Sequence, residues 1–337
     1  MSKLSHWISA RPVSAYFSIA YLFSWPILVL VFLVFPHNMA FQGTFGSLAV
    51  FSPAIASMIV AFVVEPEHVR RQPTAHWISF LTIWILAWAT LIFFALRVRN
   101  TPFGLPLVLF GGILAFLPAF TASRAFSRVI GIRRHFRSLM VPRGNLVWYF
   151  VALFSFPAIQ IVGVGITRFL GTHSGSQSEL SISVDPSTAV LLFLHGFFFA
   201  GGINEESGWR GFALPRLQSR YCPLAAALMV WVFWALWHLP LDLASGNSAS
   251  SILVNRVFFN AMWSVLFMWV FNRTKGSLLA PAMFHPAMNA SGTLLPRTNA
   301  ATVLFAILVL TAVVCDRMWC RLPGTHGALI RQSNDET

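Results

Sequence analysis

The sequence predicts an all-α, polytopic transmembrane helix bundle of about ten spans, even in number, with both termini cytoplasmic. Three observations predict it. The 337 residues are 57% hydrophobic and only 10% charged, and their mean hydropathy is +0.70, so the chain cannot supply the polar surface of a soluble fold. Apolar runs of about 18 residues or more recur along nearly the whole chain, as expected of helices that cross a hydrocarbon core of roughly 30 Å. These runs are continuous, without the period-two alternation of barrel strands.

The spans fall near 13–35, 44–64, 77–96, 104–123, 146–167, 188–210, 223–238, 253–271, 277–295 and 299–316. Lys3 and Arg11 precede the first like the start of a signal peptide, but the run is longer than such a segment and lacks a small-x-small cleavage site, so it reads as a retained span. The fourth is rich in Gly and Pro, and the seventh is short, with Pro240 expected to stop its helix. Between the fourth and fifth lies the basic segment 124–145. Its stretch "SRVIGIRRHFRSLMVPR" interleaves basic and apolar residues and reads as a cytoplasmic helix lying on the membrane surface, the alternative being a docking surface for acidic partners. The polar loop 170–187 and the tail 317–337 are the other long extramembrane stretches, and none could form a separate domain.

Orientation follows from the basic residues. If successive loops alternate between sides, one set carries only Arg97, Arg99, Arg168, Arg256 and Arg297; the set containing both termini carries the other 18 of the 23. The positive-inside rule puts that richer set in the cytoplasm. The net charge of +13 sits at span ends, where it meets anionic lipid headgroups, a distribution that points away from nucleic acid. Cys222, Cys315 and Cys320 fall at cytoplasmic ends, where thiols stay reduced, and form neither a disulfide framework nor a zinc knuckle.

Charge inside a span is costly and marks function by default. Of ten acids, only Glu205 and Glu206 lie well inside an apolar helix; of ten histidines, only His195, His238 and His285 do. At about 100° per residue the two acids cannot share a direction, whereas Glu206 and Arg210 at i, i+4 can. Arg210 is therefore expected to neutralise Glu206, leaving Glu205 to face another group. His285 and Asn289 share a face in "HPAMN", as do Trp234 and His238 in "WALWH". His195, which lacks an i, i+4 polar partner, reads as an interhelical histidine. Counted from the flanking turns, Glu205 and His238 lie at roughly 21 and 24 Å, but His285 at only about 13 Å, so convergence needs a tilted or kinked ninth span near Pro281 and Pro286.

"EESGWR", "WALWH" and "HPAMN", in that order, resemble the CPBP family of CAAX-processing and bacteriocin-processing intramembrane metalloproteases, whose pattern is EExxxR, FxxxH and HxxxN. Glu205, Glu206 and Arg210 complete the first motif, and His285 with Asn289 the third. In the second, His238 is intact and Trp234 stands where the pattern has Phe. The resemblance divides the chain into N-terminal helices 1–187, a catalytic helix core 188–295, and a last helix with its tail, 296–337.

It implies an intramembrane endopeptidase, similar to type II CAAX prenyl endopeptidases, acting on a membrane-associated or lipid-modified peptide or protein. Carried over by position, Glu205 and His238 would activate water, while His285 and Asn289 would steady an oxyanion or complete a metal site. Glu206, Arg210 and Trp234 would support them. Glu205, His238 and His285 could hold a divalent metal such as zinc; the HExxH motif is absent, and a metal-free glutamate mechanism would use the same residues. A non-proteolytic immunity or regulatory membrane protein is the leading alternative. A transporter is the other, disfavoured because the sequence shows no paired inverted halves with broken helices. The protein is expected in the cell membrane; its substrate and oligomeric state are open.

Overall fold

Helix is the only regular structure among the described residues, apart from an isolated bridge between His68 and Val129. This suits a chain surrounded by hydrocarbon, where every backbone N–H and C=O needs an internal partner. The structure is a computed structural model that describes residues 2–35, 39–69, 73–172 and 180–322. Arg70, Arg71 and most of the tail, including Arg331, lie outside the described residues.

A short helix α1 (Lys3–Ala10) precedes α2 (Pro12–Val29), which ends in a π turn, Leu30–Val34. The single span expected at 44–64 is two helices, α3 (Met39–Val50) and α4 (Ser52–Val64), with Pro53 in the first turn of α4. Pro there lacks only an N–H that has no helical partner, so it restarts a helix rather than continuing one. Helices α5 (Thr74–Arg97) and α6 (Leu105–Ser123) pair through Trp84 and Trp88, whose indole N–H groups donate to the carbonyls of Gly112 and Val108 at 2.8 and 2.9 Å. Helix α7 is Ile130–Met140 and α8 Val147–Leu170.

The sixth span is longer than expected and is broken. It comprises α9 (Pro186–Phe199), α10 (Ile203–Gly208), a π turn Trp209–Ala213 and α11 (Leu214–Gln218). The seventh span's helix α12 (Pro223–Trp237) ends just before Pro240, at a turn on His238, and a second helix α13 (Leu239–Ala244) follows at once with Pro240 in its first turn. Then follow α14 (Ala249–Leu253), a third π turn, Val254–Phe259, and α15 (Asn260–Arg273). Helices α16 (Leu279–Leu294) and α17 (Asn299–Cys315) end the described bundle.

Among the described residues seven helices are long and apolar enough to cross a membrane, and Ser52–Val64 and Asn299–Cys315 are apolar but shorter. Among the described residues the ten expected runs thus appear as seven long helices and several shorter ones, with Pro53 at the start of one of the shorter. Large apolar side chains such as Leu81, Leu86, Ile113, Phe154 and Phe169 point outward, as a lipid-facing surface requires. Helix α7 departs from its reading as a free surface helix. Ile132, Phe136 and Leu139 are buried, Arg134 pairs with Glu65 at 2.8 Å, and the Ser138 hydroxyl accepts from the N–H of Leu278 at 3.2 Å. Its apolar face is docked on the protein.

Side-chain contacts also define the two ends of the bundle. At one end the segments around Glu65, α7, Arg216 and Lys275 line one small hollow, Leu224 N–H donates to Met318 O at 2.9 Å, and Arg273 pairs with Asp316. At the other, Arg256 holds Asp242 through two bonds of 2.6 Å. The charge bias assigns the first end to the cytoplasm. In a variant with its native cysteines replaced, an impermeant maleimide should label Ser250→Cys in intact cells and Ser219→Cys only after lysis. The reverse pattern would invert the orientation.

Candidate active site

The break in the sixth span creates the site. Gly201 has φ +112°, and a Cβ there would lie 2.5 Å from the His285 ring, so only glycine lets the imidazole seat against the backbone. The Asn204 side chain spans the break, accepting from Gly201 N–H at 2.9 Å and donating to Val50 O at 3.1 Å. Asn289 donates through Nδ2 to the carbonyl of Ala200 at 3.2 Å. Two asparagines thus satisfy backbone groups that the break would otherwise strand in an apolar interior.

Just beyond the break, Glu205 and Glu206 diverge. Glu206 is fully buried, and its Oε1 accepts from Arg210 Nη1 at 2.9 Å and from His285 Nδ1 at 2.7 Å. Arg210, in the π turn and 1% exposed, lies 4.6 Å from the centroids of both the Trp234 and Phe267 rings. Its cation is thus held by one carboxylate and two aromatic faces. Glu205 Oε2 accepts instead from the indole N–H of Trp234 at 2.7 Å. His238 Nδ1 meets the Trp234 carbonyl at 2.7 Å. A carbonyl or carboxylate can only accept, so Nδ1 carries the proton in both histidines, and in the neutral rings Nε2 holds the free lone pair.

Trp234 is the hub. Its ring centroid lies 5.5 Å from both His238 and His285, and one indole N–H orients Glu205. His285 stacks on Phe267 at 5.1 Å, and Pro286, inside α16, sits against Gly196 of α9. His285 meets Glu206 rather than Glu205, one residue nearer the turn from which the depths were counted.

Sequence reasoning missed three contributors. Tyr16 of α2 is buried and close enough to interact electrostatically with Arg210, Glu206 and Glu205; Phe267 and Gly201 supply the surfaces on which Arg210 and His285 rest. A tyrosine or phenylalanine in an apolar run gives no signal of such a role, though a Gly-Gly pair before two acids could have announced the break. His195 stacks on Phe94 at 3.9 Å, packed among rings as read.

A cavity of about 620 Å³ is lined by Asn289 but not by Glu205, His238 or His285. It lies at the end marked by Asp242 and Arg256, which the charge bias sets away from the cytoplasm. Among the described residues no three His, Cys, Asp or Glu groups gather closely enough to hold a metal ion; the atoms that would serve as ligands are Nε2 of His238 and His285 and Oε1 of Glu205, because Nδ1 of each histidine and Oε2 of the glutamate are already hydrogen-bonded.

Residues 186–291 match the family model described as Type II CAAX prenyl endopeptidase Rce1-like, an interval that contains all seven residues above. The chain is also 25% identical over 246 residues to CAAX prenyl protease 2 of Methanococcus maripaludis, covering 70% of this chain and 89% of the relative. The chain is CAAX-protease-like. Both comparisons support protease activity in a multi-pass membrane protein.

Two outcomes test this geometry. Arg210→Ala should destabilise the protein in detergent by about 3–5 kcal/mol, since it strands a buried carboxylate, and adding Glu206→Gln should restore part of the loss; an unchanged melting temperature would show that the pair carries no weight. Trp234→Phe keeps the aromatic wall but removes the donor to Glu205. It should lower turnover roughly tenfold, in line with about 1–2 kcal/mol for one hydrogen bond to a charged group, and unaltered turnover would show that the bond is not used.

Proposed function

We propose that the chain is an intramembrane endopeptidase that hydrolyses a peptide bond of a membrane-associated or lipid-modified substrate with a water activated by Glu205 and His238. The single observation that carries this reading is the placement of Glu205, His238 and His285 around one buried tryptophan, inside the interval that matches the endopeptidase family.

Glu205 accepts the indole N–H on Oε2, which leaves Oε1 as the atom to take a proton from water. His238 presents Nε2 as an acceptor because Nδ1 is held by a carbonyl, which orients the same water. As the hydroxide adds to the scissile carbonyl, the oxygen gains negative charge. The second N–H of the Asn289 amide is a donor available to meet it, and His285, whose Nδ1–H faces Glu206, adds a second donor at Nε2 when its ring takes up a proton. The proton on Glu205 then passes to the departing amine, so water is divided between the two products. No step needs a metal ion.

One observation favours the non-proteolytic alternative: the Glu/His set lies outside the lining of the 620 Å³ cavity, as a purely structural charge cluster would. The two readings separate in one experiment. Membranes from cells expressing the wild type should contain a C-terminal or leader fragment that is absent with Glu205→Gln, while both proteins stay folded in detergent. Identical peptide inventories would favour the binding role, and an inactive Glu206→Gln beside an active Glu205→Gln would reverse the roles of the two acids.

A further inference from the structure

Positive charge gathers in the small hollow beside Glu65, at the opposite end of the bundle from Asp242 and Arg256. The hollow measures about 200 Å³ and lies between the end of α4, α7, α11 and the turn that joins α15 to α16. Arg134, Arg216 and Lys275 are among the side chains that line it, and its one carboxylate, Glu65, is engaged with Arg134 at 2.8 Å. His135 lines it too but adds no charge, because burial lowers its pKa to about 3. Arg216 donates to the Phe212 carbonyl at 3.1 Å and lies 3.7 Å from the centroid of that ring. Among the described residues neither Arg216 nor Lys275 is ion-paired with a carboxylate.

A second observation is independent of charge. Gln218 lines the same hollow and is only 5% exposed, yet among the described residues neither Oε1 nor Nε2 of its amide has a hydrogen-bond partner. A buried amide unmet at both ends is costly. An occupant with negative oxygens and a hydroxyl would satisfy the donor and the acceptor together.

The walls are fixed in advance. Ser277 donates to the Ser138 carbonyl at 3.3 Å, Leu278 N–H to the Ser138 hydroxyl at 3.2 Å, and Arg143 N–H to the Tyr149 hydroxyl at 2.9 Å. Binding here therefore orders little that is not ordered already. Lys275 stands at φ +54°, a backbone region that asparagine or glycine enters more easily.

Size and direction select the anion. The hollow's 200 Å³ is severalfold the ~30 Å³ of a water, enough for a small polyatomic group. The two free cations come from separate segments, α11 and the α15–α16 turn. A carboxylate offers its oxygens in one plane, whereas a phosphate group offers them tetrahedrally and takes donors from several directions.

We propose that this hollow binds a phosphate group that carries or adjoins a hydroxyl, with Arg216 and Lys275 as its ion partners and the Gln218 amide as donor and acceptor. The source is either an anionic lipid headgroup or free hydrogen phosphate. Once bound, the group ties α11 to the α15–α16 turn, and the site stands whether or not the chain cleaves peptides.

The test follows the melting temperature of the full-length protein in phosphatidylcholine nanodiscs, at neutral pH and constant ionic strength. The probes are sodium phosphate, sodium sulfate, and replacement of part of the lipid by phosphatidylglycerol. Phosphate or phosphatidylglycerol should raise the melting temperature, and the probe that does so names the source. Sulfate, which has no hydroxyl at this pH, should stabilise less than the responding probe. Lys275→Asn suits the turn and removes the charge, so it should fold normally and lower the affinity for that probe about tenfold. Gln218→Leu should weaken the response severalfold. Arg220→Gln, which removes an exposed cation outside the hollow's lining, should leave it unchanged. No shift with either phosphate source, an equal shift with sulfate, or a shift that both Lys275→Asn and Gln218→Leu leave intact would overturn the proposal. A response lost equally with Arg220→Gln would overturn it too, as the mark of diffuse attraction to a basic surface.

Discussion

Everything near the site depends on one carboxylate that has nowhere else to find a counter-charge. Glu206 is fully buried in an apolar interior, where an uncompensated charge is among the most expensive things a chain can hold. Its Oε1 draws Arg210 from the next turn and His285 from α16. Arg210 in turn needs more than one carboxylate, and it finds the faces of Trp234 on α12 and Phe267 on α15. A single buried charge thereby fixes the relative register of four segments. Once Glu206 is committed in this way, the ~100° step of the helix turns Glu205 toward Trp234, and the two adjacent acids acquire different surroundings without any further device.

That division explains which features the sequence made legible. Spacing within one helix is set by backbone geometry, so Glu206 with Arg210, and Trp234 with His238, could be paired from the residues alone. So could the helical class, which follows from the cost of unsatisfied backbone in hydrocarbon. Contacts between helices were legible only as a set of polar faces. That His285 meets Glu206 depends on a π turn and on a seat at Gly201, neither of which leaves a periodic signal. The docking of α7 was missed for a related reason: the same amphipathic pattern suits a lipid surface or a protein surface, and only Gly131, against Ala61 and Glu65, favours the second. Trp234 was read as a wall, correctly for its ring, but the N–H that distinguishes it from Phe acquires meaning only when Glu205 lies opposite.

The broken sixth span links the sealed charge cluster to the open cavity. Non-helical backbone at membrane depth is tolerated where it is enclosed by protein or borders a cavity, and the Ala200–Gly202 break does both. On its inner side the His285 ring lies against Gly201. On its outer side Ala200 is held by Asn289, which lines the cavity. Asn289 therefore stands at the boundary between the buried charge cluster and the open cavity. In the proposed reaction a substrate bond would reach Glu205 and His238 through that boundary, and the hydrogen bond from the Asn289 amide to the Ala200 carbonyl is the weakest of the three polar contacts there: a neutral bond of 3.2 Å, against bonds of 2.7 Å to the carboxylates of Glu205 and Glu206. Charge-assisted bonds are roughly twice as strong as neutral ones, so the least costly opening toward Glu205 exchanges the Ala200 carbonyl for a substrate carbonyl on the same asparagine. The residue that closes the resting site is then already positioned to receive the bond to be cut.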